Sequence, residues 1–193
     1  MLENLNKYHL VLASNSPRRK ELLAGLEIPF EVKTLSGIDE SYPEKLKGKE
    51  IAMHISQKKA AAYQQFLDDN ALIITADTIV YLDGQVFGKP KDAQDAVRML
   101  SALSGQTHEV ITGVTIMTKE RKKCFAVVSL VTFEKLKKAE IQYYVEHFKP
   151  FDKAGAYGIQ EWIGYVGVKD IQGSYFNVMG LPVQRLYQEL KKF

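Results

Sequence analysis

The stretch Tyr8-His9-Leu10-Val11-Leu12-Ala13-Ser14-Asn15-Ser16-Pro17-Arg18-Arg19 decides how this chain folds. Its first six residues form a short apolar run of strand type, and Leu22, Leu23 and Leu26 then recur at helical spacing. Between them Ser16 followed by Pro17 marks a helix start, because a serine oxygen accepts an orphan N–H and proline suits the first helical position. Strand, polar loop, helix is the opening unit of an α/β fold.

The residues on either side continue the alternation. Ile28 to Leu35 reads as a second strand, and Gly48 to Leu67 as a helix with Ala52, Ile55, Ala62 and Phe66 spaced by three and four. Leu72 to Val80 is an apolar run of buried-strand type, interrupted only by Thr75, Asp77 and Thr78. Asp83-Gly84 predicts a type I′ hairpin, and Asp92 to Leu103 a helix. Val110 to Thr118 and Lys123 to Phe133 form a second hairpin, whose Lys119-Glu120-Arg121-Lys122 tip is a solvated turn. Lys138 to Phe148 is amphipathic, and residues 152 to 160 are glycine-rich. A strand from Trp162 to Val168, a turn near Gly173 and a closing helix to Lys192 complete the chain. No repeat or linker interrupts it, so one domain over residues 1–193 is expected, built on a mixed twisted sheet flanked by helices.

Composition narrows the function. Of 193 residues, 46% are apolar and 25% charged, enough for a sizeable core. The single cysteine, Cys124, excludes an internal disulfide and a Cys-based zinc site, and His9, His54, His108 and His147 lack metal-ligand spacing. No apolar run approaches the roughly 18 residues of a membrane span and no signal-type segment opens the chain, so a soluble cytoplasmic protein is expected. A net charge of +3 argues for neither nucleic acid nor membrane. The ten tyrosines do not cluster with basic residues on one strand, which disfavours RNA binding. Only five of the 26 cations are arginines, and Arg18 and Arg19 are adjacent.

Three residues break the rule of their own element. Asp77 sits in a buried-strand pattern, where a carboxylate needs a partner, hydrogen bonds or a metal. It is either a functional group or a structural one satisfied by turn N–H groups. Lys59 falls on the apolar stripe of its helix; it either meets an anion or extends its head to the surface. Lys89, between Gly88 and Pro90, is by itself a surface-turn lysine. The loop from Ser14 to Arg19 unites them: hydroxyls of Ser14 and Ser16, a helix N-terminus and two guanidiniums converge where a phosphate chain could lie. Arginine in a first helical turn opposes the helix dipole, and an anion would remove that conflict. No Walker A or dinucleotide fingerprint is present. Asp39-Glu40 offers a second carboxylate beside Asp77, and hard oxygen ligands with phosphates suit magnesium or manganese.

Together these motifs resemble a known family. Ser14-Asn15-Ser16-Pro17-Arg18-Arg19, Ala76-Asp77-Thr78, Gly88-Lys89-Pro90, Leu103-Ser104-Gly105, Thr112-Gly113-Val114, Asp152 to Tyr157 and Gly180-Leu181-Pro182 look like the Maf nucleoside triphosphate pyrophosphatases, in order from about residue 8 to 190. The resemblance implies a fold related to the inosine triphosphate pyrophosphatases, a cytoplasmic homodimer and a divalent metal cation, Mg or Mn. It implies house-cleaning hydrolysis of a nucleoside triphosphate between the α and β phosphorus atoms. Asp77 matches the proton acceptor; Glu40, Lys59 and Lys89 match groups around the phosphates, with Glu40 and Asp77 as metal ligands. Arg18, Thr78 and Gln160 match the subfamily that prefers dTTP and UTP. The alternative is a nucleotide-binding regulator of cell division that uses the phosphate loop without obligatory hydrolysis.

Overall fold

The structure is a computed structural model that describes residues 2–66 and 68–193. In chain order the elements are β1 (His9–Leu12), α1 (Pro17–Ala24), β2 (Glu31–Val32), α2 (Lys49–Ala62), β3 (Ala71–Leu82), β4 (Gln85–Phe87), α3 (Ala93–Leu103), β5 (Thr107–Met117) and β6 (Lys122–Phe133). They are followed by α4 (Lys138–Phe148), α5 (Trp162–Gly167), β7 (Val168–Gln172), α6 (Tyr175–Met179) and α7 (Val183–Leu190). The strands are ordered β2-β1-β3-β5-β6-β7, with β4 on β3, and both parallel and antiparallel pairs occur. The expected mixed α/β architecture is present. The chain divides into two compact units, and β3, β5 and β6 each run from one into the other.

The first unit comprises Met1–Asp77, Thr112–Val127 and Gly180–Phe193. Here β1 pairs in parallel with β2 and with β3, in register from His9↔Ala71 to Leu12↔Ile74. Leu72, Ile73 and Ile74 are buried in succession, as a strand covered on both faces requires. Helix α2 lies directly on β5: a Cβ at Gly113 would come within 2.3 Å of the Ala52 carbonyl carbon and oxygen. Its register is pinned by Thr75, whose hydroxyl donates to the Ser56 carbonyl at 2.7 Å, and by a 2.9 Å bond between the Ser56 and Thr115 hydroxyls. Ala52, Ser56 and Lys59 are four and three residues apart, so the same face carries all three.

The predicted helix over 48–67 ends earlier, at Ala62, and its buried positions are Ile51, Ala52, Ile55, Ser56 and Ala60. Tyr63 stops it. Its ring is buried, and its hydroxyl donates to Lys33 O and accepts from Leu35 N, which draws the chain aside and leaves Phe66 exposed. Leu67 lies outside the described residues. The predicted strand over 28–35 shrinks to Glu31–Val32, since the Tyr63 hydroxyl takes the backbone of residues 33 and 35.

The second unit comprises Thr78–Ile111 and Val128–Met179. The Asp83-Gly84 turn joins β3 to β4 with φ of 49° and 84°, the left-handed pair that a type I′ turn needs. Asp92 caps α3 by accepting the Asp95 N–H at 2.8 Å. Leu100, Leu103, Phe133, Tyr144 and Tyr157 join one apolar core. The strand expected over 162–168 is instead helix α5, and strand β7 begins at Val168. At Gly164 a Cβ would fall 1.8 Å from the Ile159 carbonyl oxygen, so the chain doubles back closely here and glycine is required. A six-residue apolar run carries no period that separates the two. Helix α6 was not foreseen; Asn177 anchors it by donating to Val110 O and Ser129 Oγ, each at 3.0 Å.

Within this core His108 Nε2 lies 2.8 Å from the Tyr157 hydroxyl, and burial pushes the imidazole down from 6.5 to about 4. Between those two values the unfolded chain takes up a proton that the folded chain refuses. Stability is therefore full above pH 6.5 and falls by about 3 kcal/mol as pH drops to 4. Unfolding midpoints measured across this range should show that slope, and His108→Gln should flatten it.

Candidate active site

The loop between β1 and α1 is held by its own serines. Ser16 Oγ accepts the Arg19 N–H at 3.4 Å and Ser14 Oγ accepts the Ser16 N–H at 3.2 Å. Each hydroxyl keeps its proton to donate elsewhere. Arg18 and Arg19 both stand half-buried in the first turn of α1. Arg19 does not simply face outward toward a future phosphate: its Nε donates to Gly180 O at 2.8 Å and its Nη1 to Ala76 O at 2.9 Å. Burial lowers its pKa, Arg18 adds to that, and the Asp77 and Glu40 carboxylates oppose it. The conflict between Arg19 and the helix dipole is answered inside the protein, and the guanidinium fixes the carbonyl immediately before Asp77.

Asp77 is 8% exposed, near the middle of β3. Its Oδ1 lies 2.7 Å from Lys59 Nζ, which also reaches Glu40 Oε1 at 2.9 Å. The side chains of Lys59 and Asp77 are 14% and 11% exposed, whereas Glu40 is 52% exposed. The ammonium thus holds one buried and one accessible carboxylate. Lys59 therefore meets an anion, and the same contact gives Asp77 the partner that a buried carboxylate needs. Breaking such a buried pair by removing one partner costs about 3–5 kcal/mol, because the other charge is left uncompensated.

The two neighbouring acids of the 39–40 loop separate. Asp39 points to Lys58 Nζ at 2.6 Å and accepts the Ser41 N–H at 2.9 Å, contacts that hold its carboxyl well below the usual range. Glu40 alone of the two turns to Lys59. Among the described residues no group of three or more His, Cys, Asp or Glu is placed to hold a metal ion. Glu40 and Asp77 meet at the Lys59 ammonium, and as hard oxygen donors they are of the type a magnesium ion takes together with phosphates and water.

Thr78, Lys89 and Gln160 belong to the second unit. Thr78 is half-buried directly after Asp77. Lys89 is exposed beyond β4, in a turn where Gly88 O accepts the Gly155 N–H at 3.0 Å. Gln160 is half-buried, and its Oε1 is buried without a hydrogen-bond partner among the described residues. Sequence reading missed the supports: Gly113, Thr75, Ser56 and Thr115 seat the helix that carries Lys59. Hydroxyls recurring in apolar strands were the available signal.

A family model described as a Maf-like protein matches residues 9–193. The chain belongs to the Maf-like family. Relatives of this Maf-like chain include proteins named dTTP/UTP pyrophosphatase in Phocaeicola vulgatus, 62% identical over 192 residues, and in Bacteroides fragilis, 59% identical over 192 residues, each match covering both chains entirely. One in Porphyromonas gingivalis is 52% identical, covering 100% of this chain and 98% of that one. Among solved structures, a HAM1 protein from Coxiella burnetii shares the fold, with a TM-score of 0.52 at 15% identity over 96% of this chain and 100% of that one. No helix among the described residues is long and apolar enough to cross a membrane.

A lysine at position 19 cannot span two carbonyls with a planar fork. Arg19→Lys should lower stability by about 1–3 kcal/mol in denaturant unfolding. Asp39→Asn, which removes an exposed pair, should leave the denaturant midpoint essentially where it is in the parent chain.

Proposed function

We propose that this Maf-like chain is a nucleoside triphosphate pyrophosphatase that hydrolyses dTTP and UTP, and that its reaction is built on Asp77, Lys59 and Glu40. Two supports carry the reading. Full-length relatives at 52–62% identity bear the name dTTP/UTP pyrophosphatase. The residue matched to the proton acceptor, Asp77, is buried, paired and half of a two-carboxylate convergence.

In the reaction a water oxygen attacks the α-phosphorus, and its proton passes to the Asp77 carboxylate as general base. The bond from the α-phosphorus to the bridging oxygen breaks, and pyrophosphate leaves with the electron pair. Lys59 holds the Asp77 carboxylate in place through its 2.7 Å contact before attack. Its contact to the half-exposed Glu40 is the weaker of its two, so an arriving polyphosphate can take that place at little cost. Arg18, Lys89 and the Ser14 and Ser16 hydroxyls bind phosphate oxygens and offset the charge growing on the leaving group. A divalent cation, Mg or Mn, held by Glu40 and Asp77 would add Lewis-acid polarisation of the phosphate oxygens. Thr78 and Arg18 help to shape the nucleotide site. Gln160, carrying a donor and an acceptor on one amide, reads the donor–acceptor edge of uracil or thymine. Its buried Oε1, which has no hydrogen-bond partner among the described residues, supports that assignment. A cytoplasmic location and a homodimer belong to the same proposal.

The test is the product. Incubation of dTTP or UTP with magnesium or manganese should release pyrophosphate and the monophosphate, and Asp77→Asn should lower kcat by about 100-fold or more. Orthophosphate as first product would refute cleavage between the α and β phosphorus atoms, and undiminished Asp77→Asn turnover would refute the base. Tight nucleotide binding with no hydrolysis under either metal would favour the regulatory alternative.

A further inference from the structure

The second unit contains a charged cluster that the proposed reaction does not use. The Lys153 side chain is 9% exposed, and its Nζ lies 2.7 Å from Asp152 Oδ1 and 3.0 Å from Glu161 Oε1. The other oxygen of Glu161 accepts the hydroxyl proton of Tyr144, a fully buried residue of α4. The same hydroxyl accepts the Gly158 N–H at 3.0 Å. Burial, reinforced by Glu161, raises the Tyr144 pKa, so the hydroxyl remains a donor. The cluster has no slack: a Cβ at Gly158 would lie 2.9 Å from Glu161 Cδ and 3.0 Å from Lys153 Cε.

The loop so gripped is strained. Ala156 is fully buried with φ of 58°, a left-handed conformation that is unfavourable for a residue with a Cβ. Such strain persists where the surroundings over-determine the backbone, and it gathers at functional sites. Stability alone does not account for the cluster, since apolar packing of similar volume serves as well as a buried ion pair. What the loop carries does account for it. Gln160 precedes Glu161 directly, and its buried Oε1 has no hydrogen-bond partner among the described residues. A glutamine amide turned through half a rotation exchanges its donor and acceptor, so a loosely held one fits cytosine as well as uracil. Discrimination requires a backbone that does not give.

We propose that Lys153, Glu161 and Tyr144 are positioning residues that fix residue 160, so that the Gln160 amide accepts from N3–H and donates to the 4-carbonyl of uracil or thymine and excludes cytosine. The proposal rests on the base-reading role of Gln160 given above. It assigns three residues, none of which touches the nucleotide, to base selectivity.

The experiment measures kcat and KM for UTP and CTP with the full chain and its Tyr144→Phe, Lys153→Met, Lys153→Arg and Gln160→Ala variants, with thermal unfolding alongside. Tyr144→Phe and Lys153→Met should each lower the UTP-to-CTP ratio of kcat/KM by about tenfold or more, mainly through KM for UTP. Lys153→Arg should recover part of it. Tyr144→Phe added to Gln160→Ala should cause no further loss, because both act through one amide. A lowered unfolding temperature with an unchanged ratio would overturn the positioning role while leaving Gln160 and the reaction intact. A wild-type chain that does not distinguish UTP from CTP would instead overturn the base reading, and the proposal with it. If Lys153→Met fails to fold, Tyr144→Phe, which removes one oxygen, decides.

Discussion

The ammonium of Lys59 is the constraint on which the first unit's site depends. A carboxylate on a central, buried strand is unfavourable by itself, and Asp77 is tolerated because Lys59 Nζ lies 2.7 Å away. The same ammonium reaches Glu40 at 2.9 Å, and that second arm is half exposed. One cation therefore stabilises a buried acid permanently and an accessible acid exchangeably. The proposed reaction uses both properties: a carboxylate held in place and a positive charge that becomes available to an anionic substrate.

Placing that ammonium requires backbone precision rather than a generic apolar face. Gly113 lets α2 approach β5 until main chain meets main chain. The Thr75 hydroxyl then reads the Ser56 carbonyl and fixes the rotation of the helix. From the other side Arg19 bridges Ala76 O and Gly180 O, which holds the strand where Asp77 emerges. Arg19 was expected among the substrate contacts, and its geometry gives it a structural duty as well. The second unit follows a similar logic, with Tyr144 and Lys153 gripping the loop that bears Gln160.

Much of this was legible in the sequence because the decisive signals were local. Ser16-Pro17 marked the start of α1, Asp83-Gly84 the hairpin, and the charge at Asp77 and Lys59 stood out against apolar patterns. The family resemblance supplied the reaction and the assignments of Glu40, Thr78, Lys89 and Gln160. What was not legible depended on contacts distant in sequence or on short runs without a distinguishing period. The early end of α2 is set by Tyr63 bonding to Lys33 and Leu35, about thirty residues away in sequence. Helix α5 brings Gly164 against the Ile159 carbonyl, and its short apolar run carries no period that separates helix from strand. The choice between Asp39 and Glu40 turned on which lysine each faces, Lys58 or Lys59, and adjacent residues of one loop give no sequence cue to that.

The most direct test of the central claim is a double-mutant cycle on unfolding free energy with Lys59→Met, Asp77→Asn and the two combined. A buried pair predicts that Lys59→Met alone is strongly destabilising and that adding Asp77→Asn recovers much of the loss, with a coupling of about 2 kcal/mol or more. Additive effects within about 0.5 kcal/mol would contradict it, and would mean that Asp77 is held at its place in β3 without Lys59.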